Sequence, residues 1–597
     1  MGGGLIELNF LNTNNNLAIY ENPSLELSEK LSLFQDEYLL YPVLYFYGFG
    51  NGILYKSLLK NNHLKHIVVF EDDIELLYNI FHFLDFSQEL KEQKIIILNT
   101  KISDDDLKNL FQTNPFYTFL RIYNLHIHSK YYEIYQENII NLNLRISQII
   151  KSIILSNGTD IKDALQGILQ FVFNIPSMIK NPPLKEILIS RNNKSKSAII
   201  VSTGPSLSKQ LPLLKKYQNY FSIFCVDSAY SILAKEDIKP DYVLMSERAE
   251  ITANLLKQDY KNIDKDIIFI LLALAHPSAI KYLENSNRKY ILVPYPSKFV
   301  MDLKLYDFCL LTAGSTVALN ALELACELNH KNIIFIGQDL AYAKDGSSHV
   351  KGYFYEDEEL DEIKEFALSY GGNGEVLTHS TWNMFKITIQ NFINNKTNFN
   401  FYNATEGGAR IQGTIEKPFK QCCEELLDKN LSKPFLMPKA LNINTQNELL
   451  INIYEKIKFI LKKCDEFIYE FSEYLEKLIV SLNNIQNIKD FHTLKECIIN
   501  TMNDLDKFKL KIDFYSNEYF YEIILPFVSQ FELNLARIYV LNPKNNDQWL
   551  SKNITWIKDH IFLIEILIAN IKLLKEEITK NLTPLQNELS IRKLKTI

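Results

Sequence analysis

The sequence predicts an α/β protein with a central doubly wound, Rossmann-like domain, a smaller Rossmann-like α/β domain before it and an all-α helical bundle after it. Three observations predict this fold. Apolar strand-like runs alternate with helical segments in the middle of the chain, a shorter alternation precedes them, and helical periodicity alone fills the last part. Because 597 residues are too many for one hydrophobic core, we expect three domains, at 1–175, 176–430 and 431–597.

Composition narrows the class of protein. The chain has 64 basic and 71 acidic side chains and a net charge of −7, so neither nucleic acid nor an anionic membrane is an expected partner. Its seven cysteines show no metal-ligand spacing. The N-terminal segment lacks the pattern of a signal peptide, and no apolar run approaches the roughly 20 residues of a membrane span. We expect a cytoplasmic protein.

The first domain follows the order strand, glycine turn, helix and acidic-ended strand. The runs are VLYFYGFGNG (43–52), HIVVFEDD (66–73) and KIIILNT (94–100), and a helical stretch near 131–173 links this domain to the next. Glu71 occupies the position of a ribose-binding carboxylate. Two interpretations stay open: a methyltransferase-type cofactor site, or a scaffold in which the glycines only form the turn.

The central domain contains six strand-like runs that read as a parallel sheet buried on both faces. The runs are AIIVST (198–203), FSIFCVDSA (221–229), DYVLMSE (241–247), DIIFILLAL (266–274), KYILVPY (289–295) and NIIFIGQD (332–339). In a doubly wound sheet the ligand lies outside the carboxyl ends of the strands. Those ends carry Gly204, Asp227, Glu247 and the segment Gly337 to Asp339.

Two glycine-bearing turns in this domain are candidates for binding a phosphate. In the first, Ser202 to Ser206 joins a strand to a helix, and Gly204 permits close approach of backbone amides to an anion. The turn lacks both the GK[ST] of a Walker loop and the GxGxxG of a dinucleotide site, so an ordinary strand-to-helix turn stays open. In the second, Thr312 to Thr316 opens a helix. Two such turns at one sheet edge favour a nucleotide.

The last domain begins after Pro438. Its first long segment has apolar residues at spacings of three and four, namely Ile453, Ile457, Ile460, Cys464, Phe467, Phe471, Leu475 and Leu478. This pattern predicts a long amphipathic helix, and similar patterns continue to the end. We expect a bundle that binds partners rather than one that performs chemistry.

Several motifs resemble those of the motility-associated-factor proteins, the flagellin glycosyltransferases of bacteria. GPSL, TAGST, GQDLAY, GSSH and THS follow one another in the family's order, and NATEGGARIQGT (403–414) is also similar. The resemblance covers mainly residues 190–420, and the same motifs are similar to those of bacterial sialyltransferases. It implies a sialyltransferase-like central domain and an inverting transferase that moves pseudaminic, legionaminic or a related nonulosonic acid from its CMP donor to Ser or Thr of flagellin, in support of motility. The outer domains would dock flagellin and arrange a homo-oligomer.

The resemblance also implies site residues. The residues that it places around the nucleotide are Gly204, Pro205, Ser206, Asp227, Thr312, Gly314, Ser315 and Gly337. Asp227 replaces an amide residue of the family. The residues to which it gives a catalytic role are Asp339, Tyr342, His349 and His379, with His379 as the base. Tyr342 lies one position from the family's phosphate-contacting tyrosine, and His349 replaces a second tyrosine.

The chemistry agrees with these residue types. Transfer of a 2-keto sugar acid from CMP needs hydrogen-bond donors on the departing phosphate and one base near the acceptor hydroxyl. Glu247, Arg248, Glu406 and Arg410 are candidates for contacting the substrate. A guanidinium can bind the donor's carboxylate with two parallel hydrogen bonds, although Arg248 is equally well explained as a surface ion pair with Glu247 or Glu250.

No metal or other cofactor is expected. The acidic strings Asp104–Asp106 and Asp264–Asp266 have the DxD form, but the second precedes its strand and so lies at the wrong edge of the sheet. Two rival functions stay open. The central domain is also similar to archaeal pterin diphosphokinases, which would use ATP and Mg²⁺, and the chain could instead be a flagellin-binding assembly factor without catalysis.

Overall fold

The computed structural model of the chain describes residues 8–11, 17–156, 160–312, 314, 316–354 and 364–595. The chain divides into two compact units. The first comprises the described residues up to 161 together with 466–571, and the second comprises 162–465 together with 572–595. The three domains predicted at 1–175, 176–430 and 431–597 stay a prediction.

The first unit contains a four-stranded parallel sheet in the order β3-β2-β1-β4. Its strands are β1 (Val43–Tyr47), β2 (His66–Phe70), β3 (Ile95–Leu98) and β4 (Leu125–Ile127). Its N-terminal helices are α1 (Pro23–Asp36), α2 (Ile53–Leu58), α3 (Ile74–Phe83), α4 (Ser87–Lys91), α5 (Asp104–Gln112) and α6 (Gln136–Ser156). Asn22, Asp73 and Ser103 cap three of them through side-chain oxygens. The three strands predicted for this region are confirmed.

The second unit contains an eight-stranded sheet in the order β14-β13-β10-β5-β6-β7-β8-β9, parallel throughout. Its strands are β5 (Ser197–Val201), β6 (Ser222–Val226), β7 (Tyr242–Met245), β8 (Ile268–Leu272), β9 (Lys289–Val293), β10 (Asn332–Ile336), β13 (Asn400–Asn403) and β14 (Ile415–Glu416). Strands β11 (Lys364–Leu368) and β12 (Glu375–His379) form a separate antiparallel pair. All six strands predicted for this domain are present.

Helices connect these strands and cover both faces of the large sheet. They are α7 (Ile161–Lys180), α8 (Leu184–Arg191), α9 (Leu207–Tyr217), α10 (Asp227–Lys235), α11 (Glu250–Ala253), α12 (Pro277–Asn285), α13 (Lys298–Asp302), α14 (Val317–Glu327), α15 (Ser380–Asn394) and α16 (Phe419–Glu425). The small residues Ala318, Ala321 and Ala325 let α14 pack on the sheet, where it contacts β5, β6 and β7. The strand order, in which β5 lies between β6 and β10, confirms the doubly wound arrangement.

The rest of the described chain is helical. Five helices follow residue 442, namely α17 (Ile443–Asn487), α18 (Phe491–Glu518), α19 (Tyr521–Tyr539), α20 (Asn546–Asn581) and α21 (Thr583–Ile591). The boundary between the two units falls inside α17 and inside α20. Leu533 of α19 lies in the same hydrophobic core as strands β1 and β2. None of the described helices combines the length and apolarity that a membrane crossing requires.

Candidate functional site

The order of strands in the large sheet locates the site. From β5 the chain proceeds outward through β6, β7, β8 and β9, and it then returns to β10 on the other side of β5. The connections therefore leave β5 and β10 in opposite directions, which opens a crevice between them at their carboxyl ends. Ligands of open α/β sheets bind at such switch points. The GPSL turn after β5 and the GQD segment after β10 meet there.

Two glycines allow these segments to touch. The amide of Gly204 donates a hydrogen bond to the carbonyl of Gly337 over 2.6 Å. A Cβ at Gly204 would lie 2.1 Å from Oδ2 of Asp339, and one at Gly337 would lie 2.3 Å from the carbonyl oxygen of Ser202. Gly337 also has a φ of +61°, in the left-handed region. Both positions therefore require glycine.

Asp339 joins the two segments through its side chain. Its Oδ1 accepts from the amide of Ser206 over 3.2 Å, and its Oδ2 accepts from the Ser206 hydroxyl over 2.7 Å. Burial raises the pKa of Asp339 to about 6, although the bonds from Ser206 oppose the shift. The amide of Ser206, at the start of α9, thus already has an anionic partner within the protein.

Replacing Gly204 by Ala is expected to lower the free energy of unfolding by about 1–3 kcal/mol, because the new methyl group pushes Asp339 away from Ser206. Gly407→Ala is the matched control, since its Cβ would meet Asp339 only at 3.9 Å. The free energy of unfolding of both variants is measured by chemical denaturation, with hydrogen exchange followed in peptides of β5 and β10. Equal protection in the two variants would contradict the steric argument.

A cleft of about 1010 Å³ opens beside Asp339. Four polypeptide segments form its walls: the start of α9, the segment 339–353 after β10, the segment 369–376 and the loop 406–408. The predicted site residues that line it are Pro205, Ser206, Asp339, Tyr342, His349 and Glu406. The structure therefore brings six predicted residues, from four motifs, to one cavity.

The two predicted histidines differ in position. His349 lines the cleft, stacks on Tyr353 with 3.8 Å between ring centroids, and shares a hydrogen bond of 2.9 Å with the Ser348 hydroxyl through Nδ1. His379 is 4% exposed, is not among the residues lining the cleft, and packs 4.0 Å from the Trp382 ring. Its Nδ1 accepts from the Trp382 amide over 3.4 Å and so caps α15.

This cap bears on the role of His379. When Nδ1 of a neutral imidazole accepts a hydrogen bond, Nε2 carries the proton and acts as a donor. The ring of Tyr342 lies 6.0 Å from His379 and 4.9 Å from Trp382, measured between centroids. His379 and Trp382 therefore form the support behind Tyr342, one layer away from the cleft.

The second glycine turn lies at the same edge of the sheet. Helix α14 ends just before the parallel strand β10 begins, so its N-terminus is at the carboxyl edge. The amide and hydroxyl of Thr312 both donate to Oε1 of Glu323, each over 2.9 Å, and Thr316 caps the helix. Gly314 is exposed, and Ser315 lies outside the described residues. Neither Thr312 nor Gly314 is among the residues lining the cleft.

Asp227 and Glu247 follow the neighbouring strands β6 and β7. Asp227 is buried, and its Oδ1 accepts from the Ser228 amide over 2.7 Å. Burial raises the pKa of Asp227 to about 7, and the nearby charge of Glu247 adds to the shift. These carboxyls lie at the predicted edge but are not among the residues lining the cleft.

The two predicted arginines also lie outside the cleft lining. The guanidinium of Arg248 donates to the carbonyl of Asp163, and its own carbonyl accepts from Gln170 over 3.0 Å, so Arg248 is fixed against α7. Arg410 reaches over Gly372, with its Nε 3.8 Å from Oε1 of Glu416. Their proposed role in binding a carboxylate has no support from the cleft geometry.

Sequence reasoning missed several residues that line the cleft. They are Ser208, Lys209, Lys344, Asp345, Ser347, Lys351, Tyr353, Tyr370, Gly407 and Gly408, among others. The three lysines were detectable in principle, since Lys209 lies two positions after GPSL and Lys344 and Lys351 flank GSSH. Their significance depends on the cavity that places them together. Among the described residues, no group of three or more His, Cys, Asp or Glu could hold a metal ion.

In the first unit, side chains of the protein occupy the space beside the glycine turn and bond to its amides. Glu71 accepts from the amide of Phe49 over 2.8 Å and from the Tyr132 hydroxyl over 2.9 Å. The amide of Gly50 donates to the same hydroxyl over 3.0 Å. A Cβ at Gly48 would lie 2.3 Å from the Tyr132 ring. These contacts favour the scaffold interpretation of this turn over the cofactor site.

Fold and site together define a doubly wound α/β protein with a polar cleft at the switch point of its large sheet, and comparisons with known proteins agree. Residues 169–345, less than a third of the chain, match the family described as 6-hydroxymethylpterin diphosphokinase MptE-like. A solved structure of the MAf glycosyltransferase from Magnetospirillum magneticum AMB-1 is similar over 92% of this chain and 82% of that one, with a TM-score of 0.52 and 12% identity. This likeness confirms the predicted fold class. No curated protein sequence matches the chain.

Proposed function

We propose that this chain is an inverting glycosyltransferase that moves a nonulosonic acid of the pseudaminic or legionaminic type from its CMP-activated donor to Ser or Thr of flagellin. The observation that carries the proposal is the fold shared with a glycosyltransferase over 92% of the chain. The cleft at the switch point supports it, since six residues of the GPSL, GQDLAY, GSSH and EGGAR motifs line that cleft.

The proposed reaction exchanges one bond for another at the anomeric carbon of the sugar acid. The bond from this carbon to the phosphate oxygen breaks, and CMP leaves with the electron pair. The acceptor hydroxyl forms the new bond from the opposite face, and its proton passes to a base. Donors aimed at the departing phosphate and a correctly placed base lower the barrier.

The geometry favours His349 over His379 as the base. His349 is on the wall of the cleft, where it can take the acceptor's proton, whereas His379 uses Nδ1 as a helix cap. We therefore propose His349 as the base and His379 as a positioning residue that supports Tyr342 through Trp382. Tyr342 lines the cleft and is proposed to contact the leaving phosphate.

The reaction is proposed to need no metal and to occur in the cytoplasm. All seven cysteines are free, five of them buried, as suits a protein kept in a reducing compartment. At the amino end of β8, Asp264 accepts from the Tyr230 hydroxyl and from the Tyr260 amide, and Asp266 pairs with Lys289 at 2.9 Å. The carboxylates of this DxD string are therefore engaged far from the carboxyl edge.

The test is the intact mass of purified flagellin after incubation with the protein and a CMP-activated nonulosonic acid, with and without EDTA. The expected result is a mass increase of one or more sugar-acid residues in both samples, with CMP released in equal amount. Flagellin incubated with CMP alone is the control. Unchanged flagellin in the presence of folded protein would refute the proposal, and loss of activity with EDTA would refute its metal independence.

A pterin diphosphokinase is the second candidate, because the family match over 169–345 favours it. That activity would appear as Mg²⁺-dependent release of AMP from ATP in the presence of 6-hydroxymethylpterin. A third outcome, tight binding of flagellin without any change in its mass, would indicate an assembly factor.

A further inference from the structure

The acidic and basic side chains that line the cleft differ in whether they bond to other residues of the protein. Three carboxylates line it, and each accepts a hydrogen bond from the protein: Asp339 from Ser206, Asp345 from the Ser347 hydroxyl over 2.7 Å, and Glu406 from the Phe419 amide over 3.2 Å. The acidic groups thus have internal partners before any ligand arrives.

The three lysines in the cleft differ from these acids. Lys209, Lys344 and Lys351 have exposed side chains, and none of them forms an ion pair or hydrogen bond with the part of the chain that the structure describes. Exposed ammonium groups that line one cavity and form no ion pair there attract an anionic ligand. Burial and the bonds from Ser206 are the main influences on Asp339, and the charge of Lys209 is a smaller one.

The lysines approach the cavity from two segments. Lys209 belongs to the first turn of α9, and Lys344 and Lys351 lie in the segment 339–353. That segment is anchored to the GPSL turn, because the amide of Val350 donates to the carbonyl of Thr203 over 2.8 Å. A ligand that contacts all three ammonium groups is held from both sides, so one with two separate anionic groups fits best.

We propose that Lys209, Lys344 and Lys351 form the anion-binding subsite of the cleft and hold the phosphate and the carboxylate of a nucleotide-activated sugar acid. The subsite takes the place of the groups that the sequence suggested for this role. The Ser206 amide is engaged by Asp339, Arg248 donates to the Asp163 carbonyl, and neither Arg248 nor Arg410 lines the cleft. This inference rests on the proposed function for the identity of the ligand but not for its charge.

The experiment measures binding of CMP, inorganic pyrophosphate and uncharged cytidine to the full chain by calorimetry. Each single substitution, Lys209→Met, Lys344→Met or Lys351→Met, is expected to weaken CMP and pyrophosphate binding about three- to tenfold, and the triple variant about 100-fold. Lys281→Met on α12, an exposed lysine outside the cleft, is the matched control and should bind like the wild type. Cytidine affinity should stay unchanged in all variants.

Salt dependence provides a second readout that a merely structural role would not change. Wild-type affinity for CMP should fall as salt rises, since ions screen exposed charges, and this dependence should largely disappear in the triple variant. The inference is overturned if the triple variant keeps wild-type CMP affinity, or if the wild type binds neither CMP nor pyrophosphate.

The outcomes also separate this inference from the proposed function. Lysine-dependent CMP binding without any change in flagellin mass would support the subsite and count against flagellin transfer. If the triple variant keeps wild-type CMP affinity and still transfers sugar to flagellin, the proposed function is supported and the lysine subsite is refuted. A free nonulosonic acid carries the carboxylate but no phosphate, so its binding shows which lysines hold the carboxylate. Those lysines are the ones whose substitution weakens binding of the free acid. If no lysine substitution weakens that binding, the carboxylate half of the proposal is refuted.

Discussion

Replacing His349 by Asn is expected to lower the rate of sugar transfer by about 10²–10⁴-fold, the usual contribution of a general base, with little change in CMP affinity. The imidazole lines the cleft and is the base proposed for the incoming hydroxyl, so its loss removes that proton acceptor. The measurement is kcat for transfer to flagellin, together with CMP binding by calorimetry.

His379→Asn is the matched control for this prediction. Asparagine is among the best N-cap residues, so the variant keeps an acceptor for the Trp382 amide and loses only the imidazole. We expect it to retain activity within about tenfold of the wild type, because its effect passes through Tyr342 and Trp382. Normal activity of His349→Asn, together with a severe loss in His379→Asn, would restore His379 as the base.

Replacing Arg288 by Met is expected to lower the free energy of unfolding by about 3–5 kcal/mol, the cost of leaving one partner of a buried ion pair alone. The Arg288 and Asp264 side chains are 2% and 3% exposed, with Nη1 3.8 Å from Oδ2. Arg288 also donates to the carbonyls of Gln258 over 3.1 Å and Tyr282 over 3.2 Å. The substitution therefore leaves buried oxygens without a donor.

Lys289→Met is the control, because Lys289 is the next residue and its ion pair with Asp266 is partly exposed, with side chains 38% and 18% exposed. Asp266 also keeps Lys239 as a second partner at 3.6 Å. Exposed pairs contribute about 0–1 kcal/mol, so this variant should unfold like the wild type within that range. Since the chain has two compact units, hydrogen exchange in peptides covering 254–293 is a better measure than a single global transition. Equal effects of the two substitutions would contradict the argument.

The Arg288→Met variant should also depend on pH. Burial already raises the pKa of Asp264, while Tyr230, Tyr260 and Arg288 oppose that shift. Without Arg288 the folded-state pKa rises further above its unfolded value, so the folded state binds a proton more readily. The loss of stability should therefore be fullest at neutral pH and shrink as the pH falls through the folded-state pKa of Asp264.

The sequence predicted the long buried strands well and the short ones poorly. Strands β5 and β6 are continuous apolar runs buried on both faces, a pattern that needs no tertiary information. Strand β4 has three residues, and β13 reads Asn-Phe-Tyr-Asn. The pairing of β13 with β10 depends on a neighbour about 70 positions away, which local patterns do not reveal.

For the candidate site too, the sequence revealed local features but not contacts between distant residues. The glycines at 204 and 337 were visible in the sequence, because close backbone approach requires glycine. The bond between Ser206 and Asp339 joins residues 133 positions apart, so the occupant of the Ser206 amide became apparent only from the folded chain. The lysine subsite was missed for the same reason, since isolated lysines are ordinary surface residues until a cavity gathers them.

The division of the chain into two discontinuous units has a consequence for its synthesis. The hydrophobic core around β1 and β2 includes Leu533 of α19, whereas the first stretch of that unit ends at Ile161. At roughly 5–20 residues per second, about 370 further residues take a ribosome about 20–75 s to add. During that interval the emerging sheet lacks part of its apolar cover, so the first unit completes its core only after most of the chain has been made.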